Sequence, residues 1–178
     1  MSDGQNISLM SRNRKMINKA AQALLAGIIL LMFASTGYGG VNEKMPEFEL
    51  PSALGGKVVK SKDFSGKVLL VTFFATWCPP CRQEVPTLIQ LQTDYESKGF
   101  SVIGLSVDDK GKKVVAKMIK KEKINYPILM AKGKTARDFG GVVGIPISFL
   151  VNKQGVIVKR YTGYVQKSLL EKDIKNIL

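Results

Sequence analysis

The chain has 178 residues, 45% of them hydrophobic, with two cysteines and no histidine. Two cysteines are too few for a mini-protein held together by disulfides, and the missing histidine excludes Ser-His-Asp catalysis and nearly all imidazole-based zinc or copper sites. The net charge is +13, but the basic residues are dispersed, without the Arg-rich arm or aromatic-studded basic stripe of a nucleic-acid-binding surface. We therefore expect no metal, no cofactor and no nucleic-acid partner.

The first forty residues show the pattern of an export signal. A cationic stretch from Arg12 to Lys19 precedes the apolar stretch Ala20–Ala34, and small residues follow. This order predicts a secretory signal peptide, and because Gly37-x-Gly39 is a weak peptidase site, an uncleaved membrane anchor remains the alternative. We divide the chain into a leader (1–40) and a domain (41–178). The domain is expected at the periplasmic or extracytoplasmic face of the cytoplasmic membrane, soluble or anchored, with membrane contact only through the leader.

The rest of the chain predicts two strands, then a βαβα succession, a β-hairpin and a final helix. The continuous apolar run VLLVTFFA is typical of a strand buried on both faces, so helices must cover both sides of the sheet. The sequence thus predicts a three-layer α/β sandwich. The predicted elements are an extended lead-in at 41–51, a Gly-Gly hairpin turn leading into 57–60, strands at 68–75 and 100–107, helices at 81–98 and 110–123, a helical turn at 134–139, strands at 147–152 and 156–161, and a helix at 166–178.

The segment Trp77-Cys78-Pro79-Pro80-Cys81 falls between the buried strand and the helix that follows it. Two cysteines at this spacing can close a small disulfide, and the free N–H groups at a helix start favour the thiolate of the first. The second can then resolve a mixed disulfide. A structural bridge of this span closes almost no loop, and a zinc site needs further ligands. The pattern therefore predicts a redox-active disulfide between Cys78 and Cys81.

At these residues the chain resembles the TlpA/ResA/CcmG group of extracytoplasmic thioredoxin-like proteins, over about residues 44 to 178. The resemblance implies a thioredoxin-like sandwich with a mixed central sheet, helices on both faces and an N-terminal β-hairpin extension. The residues that match the group's motifs are Pro46, Phe48, Leu50, Gly66, Lys67, Phe73, Ala75, Trp77, Cys78, Cys81, Arg82, Glu84, Pro86, Gly144, Ile145, Pro146 and the strand Phe149-Leu150-Val151.

The resemblance also implies roles for the residues around the pair. Cys78 would be the attacking thiolate and Cys81 the resolving thiol. Glu84, one helical turn after Cys81, would lie beside the site and accept or relay a proton; the alternative is a solvated helix residue paired with a lysine. Thr72 stands where cytosolic thioredoxins have a buried aspartate, and Glu84 would substitute for that carboxylate.

The substrate-binding residues follow from the same resemblance. Pro146 would be in cis, and Ile145 would present backbone groups to an extended segment of the substrate. The other expected substrate contacts are Trp77, Pro79 and Pro80.

The leading functional prediction is a thiol–disulfide oxidoreductase that reduces disulfides of exported cysteine-containing proteins. The resemblance suggests apocytochrome c as substrate and a membrane thiol carrier as electron donor, and we expect a monomer. Three alternatives stay open: a periplasmic disulfide oxidant, a thiol peroxidase, and a Cu(I)-binding chaperone that uses the two thiolates. The basic helix at 110–123 is interpreted as a solvated face, with docking to an acidic partner or to lipid headgroups as the alternative.

Overall fold

The computed structural model describes residues 41–178, so the leader predicted at residues 1–40 lies outside the described residues. In chain order the elements are β1 (Glu49–Pro51), β2 (Val58–Lys60), a 3-10 turn (Ser61–Phe64), β3 (Val68–Phe74), α1 (Pro79–Tyr95), a second 3-10 turn (Glu96–Lys98), β4 (Phe100–Ser106), α2 (Lys112–Glu122), β5 (Ile128–Met130), α3 (Gly133–Asp138), β6 (Ile147–Val151), β7 (Ile157–Thr162) and α4 (Lys167–Lys175).

A five-stranded mixed sheet forms the centre of the domain. Its strand order is β5-β4-β3-β6-β7, with β3, β4 and β5 parallel and with β6 and β7 in antiparallel pairings. Strand β3 is in the middle, and all seven of its residues are buried, as expected for a strand covered on both faces. The helix that carries the cysteine pair begins directly beyond its carboxyl end.

The two faces of the sheet pack into two separate hydrophobic clusters, because successive side chains of a strand point to opposite sides. Leu70 of β3 packs with α1, α2 and α4 on one face. Phe73 packs on the other face with residues of the N-terminal hairpin and with Phe139, which follows α3. The predicted three-layer sandwich with helices on both faces is therefore confirmed.

The N-terminal hairpin is also confirmed. Strands β1 and β2 pair antiparallel, and Gly55 and Gly56 in the connection both have positive φ, which favours glycine. The connection attaches to the main sheet where the N–H of Ala53 donates to the carbonyl of Ile128 in β5.

Strand β5 was not predicted. It is three residues long and follows Pro127, so it is too short to display an alternation of polar and apolar residues. Helix α1 begins at Pro79, as expected from the tolerance for proline in the first turn of a helix. Within residues 41–178, no helix combines the length and the apolar composition that a bilayer span requires.

Candidate active site

The cysteine pair lies at the junction of β3 and α1. Cys78 is the N-cap residue of α1, and Cys81 lies in its first turn. The two form a disulfide with an S–S distance of 2.11 Å, and both are almost fully buried. The backbone N–H of Cys81 donates to Sγ of Cys78 at 3.3 Å, which places the first sulfur against a free N–H group of the helix. Such a donor stabilises negative charge on that sulfur when the disulfide is reduced.

The Ile145–Pro146 loop faces the first sulfur. The peptide bond between these two residues is cis, as predicted, and Pro146 is buried directly before β6. The carbonyl oxygen of Ile145 lies 3.8 Å from Sγ of Cys78, although the two residues are far apart in sequence. The fold therefore brings the cysteine pair and the proline loop to one place.

A surface groove runs alongside this contact. It has a volume of about 420 Å³, and its lining includes Trp77, Val143 and Ile145. Trp77 is 62% exposed and Val143 is 96% exposed, so the groove presents apolar side chains to the solvent. Of the other predicted substrate contacts, Pro79 is exposed and Pro80 is half-buried.

Glu84 is buried on α1, one turn beyond Cys81. Only 2% of its surface is exposed, and its Oε1 accepts a hydrogen bond of 2.9 Å from the N–H of Val165. Burial raises the pKa of Glu84 to about 7, an effect that the Val165 hydrogen bond partly opposes. The alternative of a solvated residue paired with a lysine is therefore wrong, because this carboxyl group faces the protein interior.

Thr72 occupies the middle of β3, and it has no charged partner in the part of the chain that the structure describes. It is buried, and its hydroxyl oxygen accepts a hydrogen bond of 2.9 Å from the hydroxyl of Ser148 on β6. The position of Thr72 therefore holds a neutral hydroxyl pair and no carboxylate. Glu84 supplies a buried carboxyl group from the helix that carries the cysteine pair, instead of from the strand before it.

Asp108 is a residue that the sequence prediction missed. It is buried just beyond the end of β4, and its carboxylate accepts hydrogen bonds from the backbone N–H and the hydroxyl of Thr76 and from the hydroxyl of Ser106. These bonds tie the loop before Trp77 to the neighbouring strand. A signal did exist in the sequence, because β3 and β4 were both predicted and the carboxyl ends of adjacent parallel strands meet at one edge.

The comparisons with known proteins agree with this geometry. The family model described as Redoxin matches residues 40–178. A thiol-disulfide oxidoreductase ResA of Bacillus cereus is 31% identical over 174 residues, which covers 94% of this chain and 99% of the relative. The ResA of Bacillus subtilis is 27% identical and covers 85% and 90%. A solved thiol:disulfide interchange protein of Chlorobium tepidum is 33% identical, with a TM-score of 0.71 over 78% of this chain and 97% of that one.

Proposed function

The chain belongs to the Redoxin family as a ResA-like thiol–disulfide oxidoreductase, and from that premise we propose that it reduces disulfides of exported proteins through Cys78 and Cys81. The observation that carries the proposal is the position of Sγ of Cys78, between the N–H of Cys81 and the carbonyl of Ile145. The helix stabilises the thiolate, while the loop offers backbone groups to an extended peptide.

The exchange proceeds in two steps. The Cys78 thiolate attacks one sulfur of the substrate disulfide, and a mixed disulfide forms as the first substrate thiol leaves. Cys81 then loses its proton and attacks Sγ of Cys78, which releases the second substrate thiol. The substrate has gained two electrons, and the protein has returned to the disulfide seen in the structure.

Glu84 is proposed as the group that takes the proton of Cys81. It lies one turn away on the same helix, and a carboxyl group with a pKa of about 7 is both an acceptor and a donor at neutral pH. Trp77, Pro79, Pro80, Ile145 and Pro146 are proposed to contact the substrate segment.

The proposed location rests on the leader, and the proposed partners rest on the family resemblance. The export pattern of residues 1–40 supports a domain, residues 41–178, that works at the periplasmic or extracytoplasmic face of the membrane, soluble or N-terminally anchored. Its substrates are then cysteine-containing exported proteins, with apocytochrome c as the proposed example, and a membrane thiol carrier is the proposed donor that reduces the pair again. We propose that the protein acts as a monomer.

The reduction potential of the Cys78–Cys81 pair tests the proposed direction of electron flow. We expect a value near or below about −250 mV after equilibration with a dithiol buffer, because a reductant must hold its electrons less tightly than its substrate. A value near about −120 mV would show that the protein is a disulfide oxidant.

Trapping of the mixed disulfide tests the proposed roles of the two cysteines. Cys81→Ala is expected to accumulate a covalent complex with a disulfide-containing substrate, because the attacking thiol remains and the resolving thiol is gone. Cys78→Ala is the matched control and should form no such complex. Equal trapping by the two variants, measured on non-reducing gels, would contradict the assignment.

A further inference from the structure

Helix α2 displays a high density of positive charge. It contains five lysines and a single acidic residue, Glu122, within eleven residues. Its buried face is formed by Val115, Met118 and Ile119, which pack into the same hydrophobic cluster as α1. The lysines therefore project from the domain surface, on the side of the sheet that also carries the helix with the cysteine pair.

A groove connects this helix with the cysteine loop. One depression, of about 160 Å³, lies against Thr76, Arg82, Lys117 and Lys121, with Val114 and Met118 as apolar lining. A second depression, of about 300 Å³, is lined by Pro79, Arg82, Gln83 and Glu122. The two share Arg82 and Glu122, so they adjoin, and together we call them the basic groove. It ends at Pro79, the residue that follows Cys78.

Most of the charge in the basic groove is uncompensated. Lys121 lies 3.8 Å from Glu122, whereas Arg82 and Lys117 take part in no ion pair with any residue between 41 and 178. Asp108 is close to Thr76, but its carboxylate is buried and already accepts several hydrogen bonds. Unpaired cations in a concave site attract anionic groups and increase the rate of encounter with them.

The position of the basic groove beside the cysteine loop indicates which kind of molecule binds there. Any polypeptide whose disulfide reacts at Cys78 must place the residues around its cysteine close to Pro79. We propose that the basic groove docks an acidic segment next to the reacting cysteine of the partner polypeptide, and that Arg82, Lys117 and Lys121 contact its carboxylates. The inference rests on the proposed attack by Cys78, and it adds a substrate class: cysteine-bearing segments flanked by Asp or Glu.

Three peptides that differ only in charge test this specificity. Each contains the same two-cysteine disulfide, flanked on one side by four residues that are acidic (Asp/Glu), neutral (Asn/Gln) or basic (Lys). Reduced full-length protein is mixed with each peptide, and oxidation of the dithiol is followed by the fluorescence of Trp77, the only tryptophan of the chain. We expect the acidic peptide to react about fivefold faster than the neutral one at low salt, and this advantage should vanish above about 0.5 M salt.

A charge-reversed variant identifies the surface responsible. Lys117→Glu/Lys121→Glu should invert the order, so that the basic peptide reacts faster than the acidic one. Misfolding of the variant would not produce a faster reaction with the basic peptide. Lys62→Glu/Lys172→Glu is the matched control, because it changes the net charge equally at two exposed lysines outside the basic groove. This control should keep the preference of the unmodified protein.

The outcomes distinguish the proposed reductase activity from the proposed docking of acidic segments. If the unmodified protein reduces none of the peptides, the proposed reductase activity itself fails. Equal rates with all three peptides overturn the docking proposal and leave the activity intact. Equal loss of preference in both double variants also overturns it, because the effect then belongs to the net charge. Binding to vesicles of phosphatidylglycerol that only Lys117→Glu/Lys121→Glu abolishes, without any peptide preference, would assign the groove to a membrane surface instead.

Discussion

Glu84 shows how one buried group can make both the chemistry and the stability of the domain depend on pH. Within residues 41–178 its carboxyl group accepts one hydrogen bond, from the N–H of Val165, so the charged form is poorly compensated in the interior. The pKa of Glu84 in the folded state is therefore raised to about 7, well above the usual pKa of a glutamate. The nearby Tyr126 responds to the same environment, because burial and then the charge of Glu84 raise the pKa of its hydroxyl group.

Replacement of Glu84 by glutamine is expected to stabilise the folded protein at alkaline pH. In the unmodified protein the folded state binds more protons than the unfolded state between about pH 4.5 and 7, so stability falls as the pH rises through this window. The fall due to this one group amounts to about 3 kcal/mol and is complete about one pH unit above the folded-state pKa of about 7. Glutamine keeps an oxygen for the N–H of Val165 and cannot ionise, so Glu84→Gln should lack this component.

Urea unfolding of the oxidised proteins at pH 4 and pH 8 measures the difference. We expect the two free energies of unfolding to be similar at pH 4 and the variant to be the more stable protein at pH 8. If the unmodified protein is instead the more stable one at pH 8, then the Glu84 carboxylate is favourably solvated or paired in the folded state, and the proposed proton transfer to it loses its basis.

The sequence predicts the roles of some site residues better than the burial and the contacts of others. Cys78 and Cys81 could be assigned because their spacing and their place before a helix are local features of the chain. The burial of Glu84 could not be predicted in this way, since the covering backbone comes from Val165, which is distant in sequence. Pro146 is intermediate: its resemblance to a known loop predicted the cis bond, whereas its contact with the cysteine pair required the folded chain.

At the scale of the elements, the parallel strands β3 and β4 form the site by ending at the same edge of the sheet. Seven residues of β3 pair in register with seven of β4, and the chain beyond each strand turns into the region of the site. The carboxylate of Asp108, beyond β4, then holds the backbone of Thr76, beyond β3. The strands were predicted from their apolar runs, but this cross-strand bond depends on a register that no local pattern contains.

Asp108→Asn is expected to lower the free energy of unfolding by about 1–3 kcal/mol and to slow the disulfide exchange. The carboxylate accepts from Thr76 and Ser106 through both of its oxygens, and an amide has only one acceptor, so its NH₂ group would face a donor. The loop that carries Trp77 and Cys78 would then lose its anchor. Urea unfolding and the single-turnover rate with a neutral disulfide peptide measure the two effects.

Asp109→Asn is the matched control, because the neighbouring aspartate is exposed. A surface substitution of this kind should change the stability by less than about 0.5 kcal/mol. Similar stabilities of the two variants would mean that the bonds between Asp108 and Thr76 contribute little. If Asp108→Asn loses stability while the exchange rate stays unchanged, the bonds stabilise the fold without positioning the cysteine loop.

The position of helix α2 beside α1 could not be predicted from the sequence, because it depends on strand β5. The amphipathic pattern of α2 was recognised, with Val115, Met118 and Ile119 on its buried side. The three-residue strand after it carries too little pattern, yet it makes α2 a crossover between parallel strands and so places the helix beside α1. The relation between the lysines of α2 and the cysteine loop is therefore a property of the folded chain.

At the scale of the whole molecule, the redox state of one disulfide is coupled to the stability of the entire domain. Both hydrophobic clusters pack against β3, the strand that leads into the cysteine loop. Oxidised and reduced protein, folded and unfolded, form a closed thermodynamic cycle. The free energy of unfolding of the oxidised protein therefore differs from that of the reduced protein by a fixed amount. This amount equals the difference in the free energy of reduction of the disulfide between the folded and the unfolded chain. Each 30 mV of difference in reduction potential corresponds to about 1.4 kcal/mol.

This cycle predicts that the oxidised protein is more stable than the reduced protein. A reductant has a folded disulfide that is harder to reduce than the same disulfide in the unfolded chain, and we expect a difference of about 1–4 kcal/mol in the free energy of unfolding. The burial of Cys78 and Cys81 and the partial negative charge of Glu84 both disfavour a thiolate and so act in this direction, against the N–H of Cys81, which favours the thiolate of Cys78. Urea unfolding with and without a dithiol measures the difference, and the double variant Cys78→Ser/Cys81→Ser should not respond to the dithiol. Greater stability of the reduced form would mean that the fold favours the dithiol, as in an oxidant, and the proposed direction of electron flow would have to be reversed.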